Sequence, residues 1–286
     1  MDLARRISAA CGQDVRDVRR IGGQHGWGHY AVTLANGREA FAKVSGTGTR
    51  AAFEAEARGL RWLAEAVAVP IPDVLGWDGH ALVLSWVAPG RADPAAAGSF
   101  GRELARLHAA GATSFGAPWP GFIASLPLDN TPWPAERGWP GWYAERRILP
   151  YLRRAADAGT LSPADVRLVE TVTGRIGELA GPAEPPSRIH GDCWSGNVMW
   201  SAGRGWLIDP AAHGGHRETD LAMLALFGAP HLEHIIGGYT RAAPVADGWR
   251  SRVPLHQLHP LLVHVCLFGA GYRDAVLAAA RAVLSS

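Results

Sequence analysis

Residues 188–210, RIHGDCWSGNVMWSAGRGWLIDP, constrain the fold more than any other stretch. Ile189 leads into His190-Gly191-Asp192, and Trp206-Leu207-Ile208 leads a second apolar run into Asp209. Asn197 and the turn residues Ser201-Ala202-Gly203-Arg204-Gly205 lie between them. The pattern predicts a tight strand–turn–strand unit that gathers Asp192, Asn197 and Asp209. Two carboxylates and an amide are all oxygen donors, a set that suits a hard cation such as Mg²⁺.

A second constraint comes from a count. Among 28 lysines and arginines, Lys43 is the single lysine. The abundance of Ala, Gly, Arg and Pro points to a GC-rich coding bias, which favours arginine wherever either residue serves. A retained lysine then marks a place that wants a compact charge on a flexible stem rather than a planar fork. Lys43 lies on the strand-like run Ala40–Val44, after the hairpin turn Asn36-Gly37. Ahead of it, GGQHGWGHY (22–30) separates the runs Val15–Ile21 and Tyr30–Leu34. Gly22, Gly23, Gly26 and Gly28 would let backbone N–H groups approach phosphates closely. Residues 50–66 read as a helix with Phe53, Leu60 and Leu63 inward. Glu56 is the expected ion-pair partner of Lys43, with Glu54 the fallback. A hairpin of Val74–Trp77 and Ala81–Val87 ends at Pro89-Gly90, and Ser85, Trp86 and Val87 are the expected hinge to an adenine edge.

A glycine-rich hairpin, a strand lysine and a helix glutamate resemble the nucleotide-covering lobe of kinases. There, an aspartate five residues before an asparagine is the catalytic base, and the asparagine and a later aspartate hold the metal. The expectation is therefore an α+β, bilobal, protein-kinase-like fold. Residues 1–87 form an N-terminal lobe of antiparallel sheet with one main helix, and residues 88–286 a mainly helical C-terminal lobe. In that second lobe, helices are expected over 97–110, 141–158 (interrupted at Pro150), 162–180, from Asp220 onward, and over 231–242 and 254–284. Residues 1–12 form a short amphipathic helix, and 112–141 read as an irregular ordered loop. His108 and Asp220 read as structural.

Composition excludes several classes. The chain has 286 residues and a net charge of +2, which offers no electrostatic case for nucleic acid or a membrane surface. Its three cysteines have no metal-ligand spacing, so a reducing cytoplasm is expected. The N-terminus lacks the apolar core of a signal peptide. No uncharged apolar run approaches the roughly 18–20 residues that a span needs.

More specific signals follow Asp192: Trp194-Ser195-Gly196-Asn197, Asp209-Pro210-Ala211, and Gly215-His216-Arg217-Glu218-Thr219-Asp220-Leu221-Ala222-Met223. Leu226-Phe227-Gly228, Glu145-Arg146-Arg147-Ile148 after Trp142, and His264 with Leu267-Phe268-Gly269 extend the pattern. With these motifs the chain resembles the fructosamine kinase (ketosamine-3-kinase) family over nearly its whole length. The resemblance implies ATP and Mg²⁺ as cofactors and a sugar hydroxyl of a ketosamine, typically the 3-hydroxyl, as acceptor. The ketosamine is free or protein-linked, and a monomer is favoured. It implies Asp192 as base, Asn197 and Asp209 as metal ligands, and Lys43 with Glu56 on the phosphates. His190 braces the loop. Trp194 either stacks on the sugar or packs in the core. His216, Arg217 and Glu218 are candidate substrate contacts, with structural roles open. Three positions depart from the family pattern: Cys193 in place of leucine, Ala212-His213 in place of an aromatic-rich pair, and His25 in place of cysteine. A small-molecule kinase of the aminoglycoside or choline type is the alternative.

Overall fold

Side chains that alternate in direction along a strand decide the N-terminal lobe. In the computed structural model, which describes residues 2–47 and 49–285, its elements are α1 (Leu3–Cys11), β1 (Val15–Gln24), β2 (Trp27–Leu34), β3 (Glu39–Ser45), α2 (Arg50–Ala64), β4 (Val74–Trp77) and β5 (Ala81–Ser85). The strands form one antiparallel sheet, ordered β1-β2-β3-β5-β4. Val32, Leu34, Ala40, Ala42 and Val44 point to one face, where Ile7 of α1 is fully buried. Phe41, Leu82 and Leu84 point to the other, against Phe53, Ala57 and Leu60 of α2. Lys43 shares the parity of Phe41, so it too lies on the α2 side.

The helical lobe opens with α3 (Pro94–Ala109). Asp93 caps it by accepting from Ala96 N–H, and Pro94 supplies the preset φ of a first turn. The stretch expected to be an irregular loop contains a small hairpin, β6 (Gly121–Ile123) and β7 (Leu126–Leu128). Next come α4 (Trp139–Tyr143) and α5 (Leu149–Asp157), joined by a π-helical turn over 144–148. Pro150 has no N–H to donate, and the wider turn just ahead of it absorbs the missing bond. α6 (Pro163–Gly174) starts at a capping box made by Ser162 and Asp165, and α7 (Ile176–Leu179) follows.

The organising stretch is built differently from the expected unit. β8 (Ser187–Ile189) does not pair with the Trp206–Ile208 run. β9 (Val198–Ser201) and β10 (Arg204–Leu207) pair with each other, and β8 pairs with β11 (His213–Gly215). The turn explains the choice. Ala202 and Gly203 both have positive φ, 48° and 71°. A two-residue loop of that hand joins immediately adjacent strands and no others.

α8 (Glu218–Leu226), α9 (Leu232–Ala242), α10 (Trp249–Phe268) and α11 (Arg273–Leu284) complete the lobe. The run Trp249–Leu284 is long and apolar enough, at a mean hydropathy of 1.4, to cross a membrane by length and composition alone, which runs against the expectation that no run approaches that length. It is broken at Gly269–Tyr272, and Leu255, Leu258, Leu262, Val276 and Ala280 are fully buried in the lobe's own core. α3 and α9 approach closely through glycines. A Cβ on Gly101 would lie 2.0 Å from the Ile235 carbonyl oxygen, and one on Gly238 2.2 Å from that of Gly98. Gly101→Ala is therefore expected to cost about 1–3 kcal/mol or more through overpacking. Gly174→Ala, with open space at its Cβ, is expected to be neutral or slightly stabilising. Urea denaturation of the two variants checks the contrast.

Candidate active site

The segment after β8 is held from below by one carboxylate. Asp220, fully buried in the first turn of α8, accepts from the backbone N–H of His190 at 2.7 Å and of Gly191 at 2.9 Å. His108 of α3 bonds the same carboxylate at 3.1 Å and the Tyr239 hydroxyl at 2.8 Å. Burial alone would raise the Asp220 carboxyl. Hydrogen bonds from His108 and the loop, with the charge of these histidines, outweigh that and hold it low. Gly191 has φ +80°, and a Cβ there would lie 2.3 Å from the Ala211 carbonyl oxygen, so the turn requires glycine. His190 ties the segment to the end of β10, with Nε2 bonded to the Ile208 carbonyl at 2.8 Å and Nδ1 accepting from Asp192 N–H at 3.2 Å.

Beyond that turn the three oxygen-bearing residues converge. Asn197 closes a short 3₁₀ turn over Ser195–Asn197, and its Nδ2 donates at 2.9 Å to both the carbonyl and Oδ2 of Asp192. With Nδ2 so engaged, Asn197 Oδ1 is left as the free acceptor. Asp209 has φ +52° immediately before Pro210. A non-glycine residue in that conformation costs about 1–3 kcal/mol and persists only when its surroundings over-determine it. The surroundings here include Lys43 Nζ, 2.6 Å from Asp209 Oδ1 and 2.9 Å from both oxygens of Glu56.

These charges are mutually dependent. Burial would lower the Lys43 ammonium, but Asp209 and Glu56 together hold it above its ordinary value. Burial would raise Asp209, and Lys43 outweighs it. Glu56 is pushed up to about 7 by burial against the pull of Lys43. Asp192 is pushed up to about 7 by burial and then by the charge of Asp209. Two carboxylates, Glu56 and Asp209, thus share one ammonium, with Asp192 held beside them by Asn197, and the cluster is short of positive charge. That deficit, with oxygen donors at Asn197 and Asp209, fits a hard divalent cation.

All of these residues face one cleft that encloses about 1020 Å³, part of it open to solvent. Its lining also includes β6 and α10, through Phe122, Val263, His264 and Phe268, together with Trp194. The fructosamine kinase family model matches this chain over residues 1–286. The chain belongs to the fructosamine kinase family. A curated relative from Synechocystis sp., named as a ketoamine kinase, is 33% identical over 283 residues, 95% of this chain and 92% of that protein. A crystal structure from Thermobifida fusca, named as a fructosamine-3-kinase, superimposes with a TM-score of 0.96 at 52% identity, covering 100% of this chain and 99% of the other. A macrolide 2'-phosphotransferase from Brachybacterium faecium shares the fold, at a TM-score of 0.59 and 18% identity over 96% of this chain and 95% of its own. This member of the fructosamine kinase family accordingly has the bilobal α+β fold of protein-kinase-like phosphotransferases, and ATP is the phosphoryl donor of a kinase.

Within that family frame, several expected site residues stand elsewhere. Gly22 and Gly23 pair with His29 and Gly28 across the β1–β2 hairpin. Gln24, His25 and Trp27 reach the cleft instead, and Gly26 borders an adjoining cavity. Ser85 spends its N–H on the Asp73 carbonyl and accepts from Asp73 N–H at Oγ, while Trp86 N–H points to Glu39. None of Ser85, Trp86 and Val87 lines the cleft. His216, Arg217 and Glu218 also lie away from it, which corrects the expectation of substrate contact. Glu218 forms a buried bidentate pair with Arg252, Arg217 pairs with Glu184, and His216 packs on Trp139 at 5.0 Å. A motif with three polar residues advertises chemistry, but here Arg217 and Glu218 are consumed in ion pairs and His216 packs as a ring. Trp194 does line the cleft, with its ring edge-on to Phe227 at 5.8 Å. Glu54 pairs with Arg58 at the surface. Ala212 lines the cleft, whereas His213 is buried against Trp142 at 5.2 Å, and Cys193 is fully buried as a small hydrophobe.

Sequence reasoning missed Phe122, Trp119 and Met223 as cleft residues. The alternation in GFIASLPL (121–128) was the available signal for β6 and β7, and with them for Phe122.

Two expectations follow. Asp220→Ala leaves two loop N–H groups and His108 without their acceptor and is expected to destabilise by about 3–5 kcal/mol, read by urea denaturation. Acid should also destabilise the metal-free protein. His190, His213, His216, His256 and His259 are buried and held below their ordinary value, first by burial, His216 as low as about 3. Below about pH 6.5 the unfolded chain binds protons that the folded chain refuses, so stability falls as pH falls, by about 1.4 kcal/mol per pH unit for each such group. Asp192 and Glu56, with raised values, act oppositely but are outnumbered. A thermal melt at pH 5 is expected below that at pH 7.

Proposed function

We propose that this chain transfers the γ-phosphoryl group of ATP, with Mg²⁺, to a hydroxyl on the sugar part of a ketosamine, typically the 3-hydroxyl. The ketosamine is free or protein-linked, and the reaction is a deglycation step in the cytoplasm carried out by a monomer. Residues 1–87 cover the nucleotide and residues 88–286 hold acceptor and metal. The observation that carries this reading is the meeting of Lys43 and Asp209, 166 residues apart in sequence, beside Asp192 and Asn197 in one cleft of a fructosamine kinase family member.

The acceptor hydroxyl oxygen attacks the γ-phosphorus, the bond to the bridging oxygen breaks, and ADP leaves. The hydroxyl proton passes to Asp192, whose carboxyl near 7 is matched to that task at neutral pH. The Asn197 amide holds Oδ2 of that carboxylate and so orients the base. Lys43, fixed by Glu56, meets the phosphates as a point charge. Asn197 Oδ1 and the Asp209 carboxylate would hold Mg²⁺, which neutralises charge on the phosphates when bound. The cleft wall formed by Phe122, Val263 and Phe268 adds no carboxylate beyond the clustered three, which disfavours a polycationic aminoglycoside as acceptor.

A coupled ADP-release assay across free and protein-linked ketosamines, aminoglycosides and choline tests the reading. Ketosamines are expected to turn over. Asp192→Ala should lower kcat by about 10²–10⁴-fold while ATP still binds by calorimetry. Brisk turnover of another alcohol with none on any ketosamine would sink the substrate assignment.

A further inference from the structure

The cleft is poorly supplied with positive charge for a ligand as anionic as a triphosphate. Its lining residues include no arginine, and its groups able to carry positive charge are Lys43, His264 and His25. Lys43 is shared between two carboxylates. His264 has Nδ1 tied to the Pro260 carbonyl at 2.7 Å. His25 is different. Among the described residues, none hydrogen-bonds either of its ring nitrogens, and its one ring contact is edge-on to Trp27 at 6.2 Å.

The backbone holds that ring in place at a cost. His25 and Gly26 form the two-residue loop between Gln24 and Trp27, and their φ values are +54° and +82°. Such loops favour Asn, Asp or Gly at the first position. Histidine is outside that favoured set, and a non-glycine residue with positive φ at a cleft invites a functional explanation. The conformation sets His25 where the main cleft and the adjoining cavity meet. Lys43 of β3, Asp209 after β10 and His29 of β2 are the charged and titratable groups that face it, and Arg50 of α2 lines the adjoining cavity.

We propose that His25 is a phosphate-binding residue, whose imidazole donates a hydrogen bond to the phosphate chain of ATP from the tip of the glycine-rich hairpin. This rests on the kinase reading above and adds to it a side-chain contact from a hairpin whose Gly22, Gly23 and Gly28 are paired between strands. In the free protein, burial and then Lys43 hold the imidazole below its ordinary value, so it is neutral at pH 7. Phosphate oxygens beside it favour the imidazolium. Binding then takes up a proton, and the contribution of His25 grows as pH falls toward 6.

Calorimetry with ATP and with adenosine, at pH 6 and pH 8, on wild type and His25→Asn tests this. Asparagine suits the turn, so the variant is expected to fold at least as well. The variant should bind ATP about tenfold more weakly than wild type at pH 6, as for loss of one charge-assisted hydrogen bond, with a smaller loss at pH 8. Adenosine affinity should be unchanged. Comparison with the variant at each pH removes the titration of ATP itself. An ATP-to-adenosine affinity ratio identical in the two proteins at both pH values would overturn the role of His25. Failure of wild type to bind ATP at all would instead overturn the kinase reading beneath it.

Discussion

Lys43 is the point on which the two lobes agree. Its ammonium joins a strand, a helix and a loop that the chain reaches only after another 166 residues. Removing three charges from water is costly, and such a cluster persists only when each charge is answered by another at hydrogen-bond distance. The pairing therefore orders more than itself. It holds α2 at a set distance from β3, and it holds Asp209 in a backbone conformation that the residue would otherwise avoid. Because carboxylates outnumber the ammonium, the cluster also remains hungry for a cation, which is the condition a metal-dependent phosphotransfer site needs.

A second layer keeps the first in register. The Asp220 carboxylate is spent on two backbone N–H groups and His108, and His190 fastens the same loop to Ile208. Neither side chain lines the cleft, yet both decide where Asp192 and Asn197 stand. Below them, His216 and His256 pack around Trp139, and Glu218 beside His256 is paired with Arg252. The residues that look most chemical in the GHRETD run are thus foundations, and the cleft lining on β6 and α10 is mainly aromatic and aliphatic.

Strand alternation, the Asn36-Gly37 turn and the helix of residues 50–64 were legible because they depend on neighbours within a few positions. So was the Lys43–Glu56 pairing, since a strand lysine and the next helix's inward glutamate have few other places to meet. The partner of β8 was not legible. Its choice depends on the hand of the Ala202-Gly203 turn, which reserves β9 for β10 and leaves β8 to β11. The fates of Gly22, Gly23 and Ser85 were hidden for a related reason: their backbone groups are consumed by Gly28, His29 and Asp73, pairings that a one-dimensional motif does not display.

The sequence by itself determined the kind of chemistry proposed, because Lys43, Asp192, Asn197 and Asp209 are the oxygen and ammonium donors that the proposed phosphoryl transfer would use, at spacings that local turns can gather. Only the tertiary structure decided which polar residues remain available to a ligand. A side chain's charge is visible in the sequence, but whether a buried partner has already neutralised it depends on what the fold brings alongside. Arg252 and Glu184 do so for Glu218 and Arg217, while nothing does so for the ring of His25.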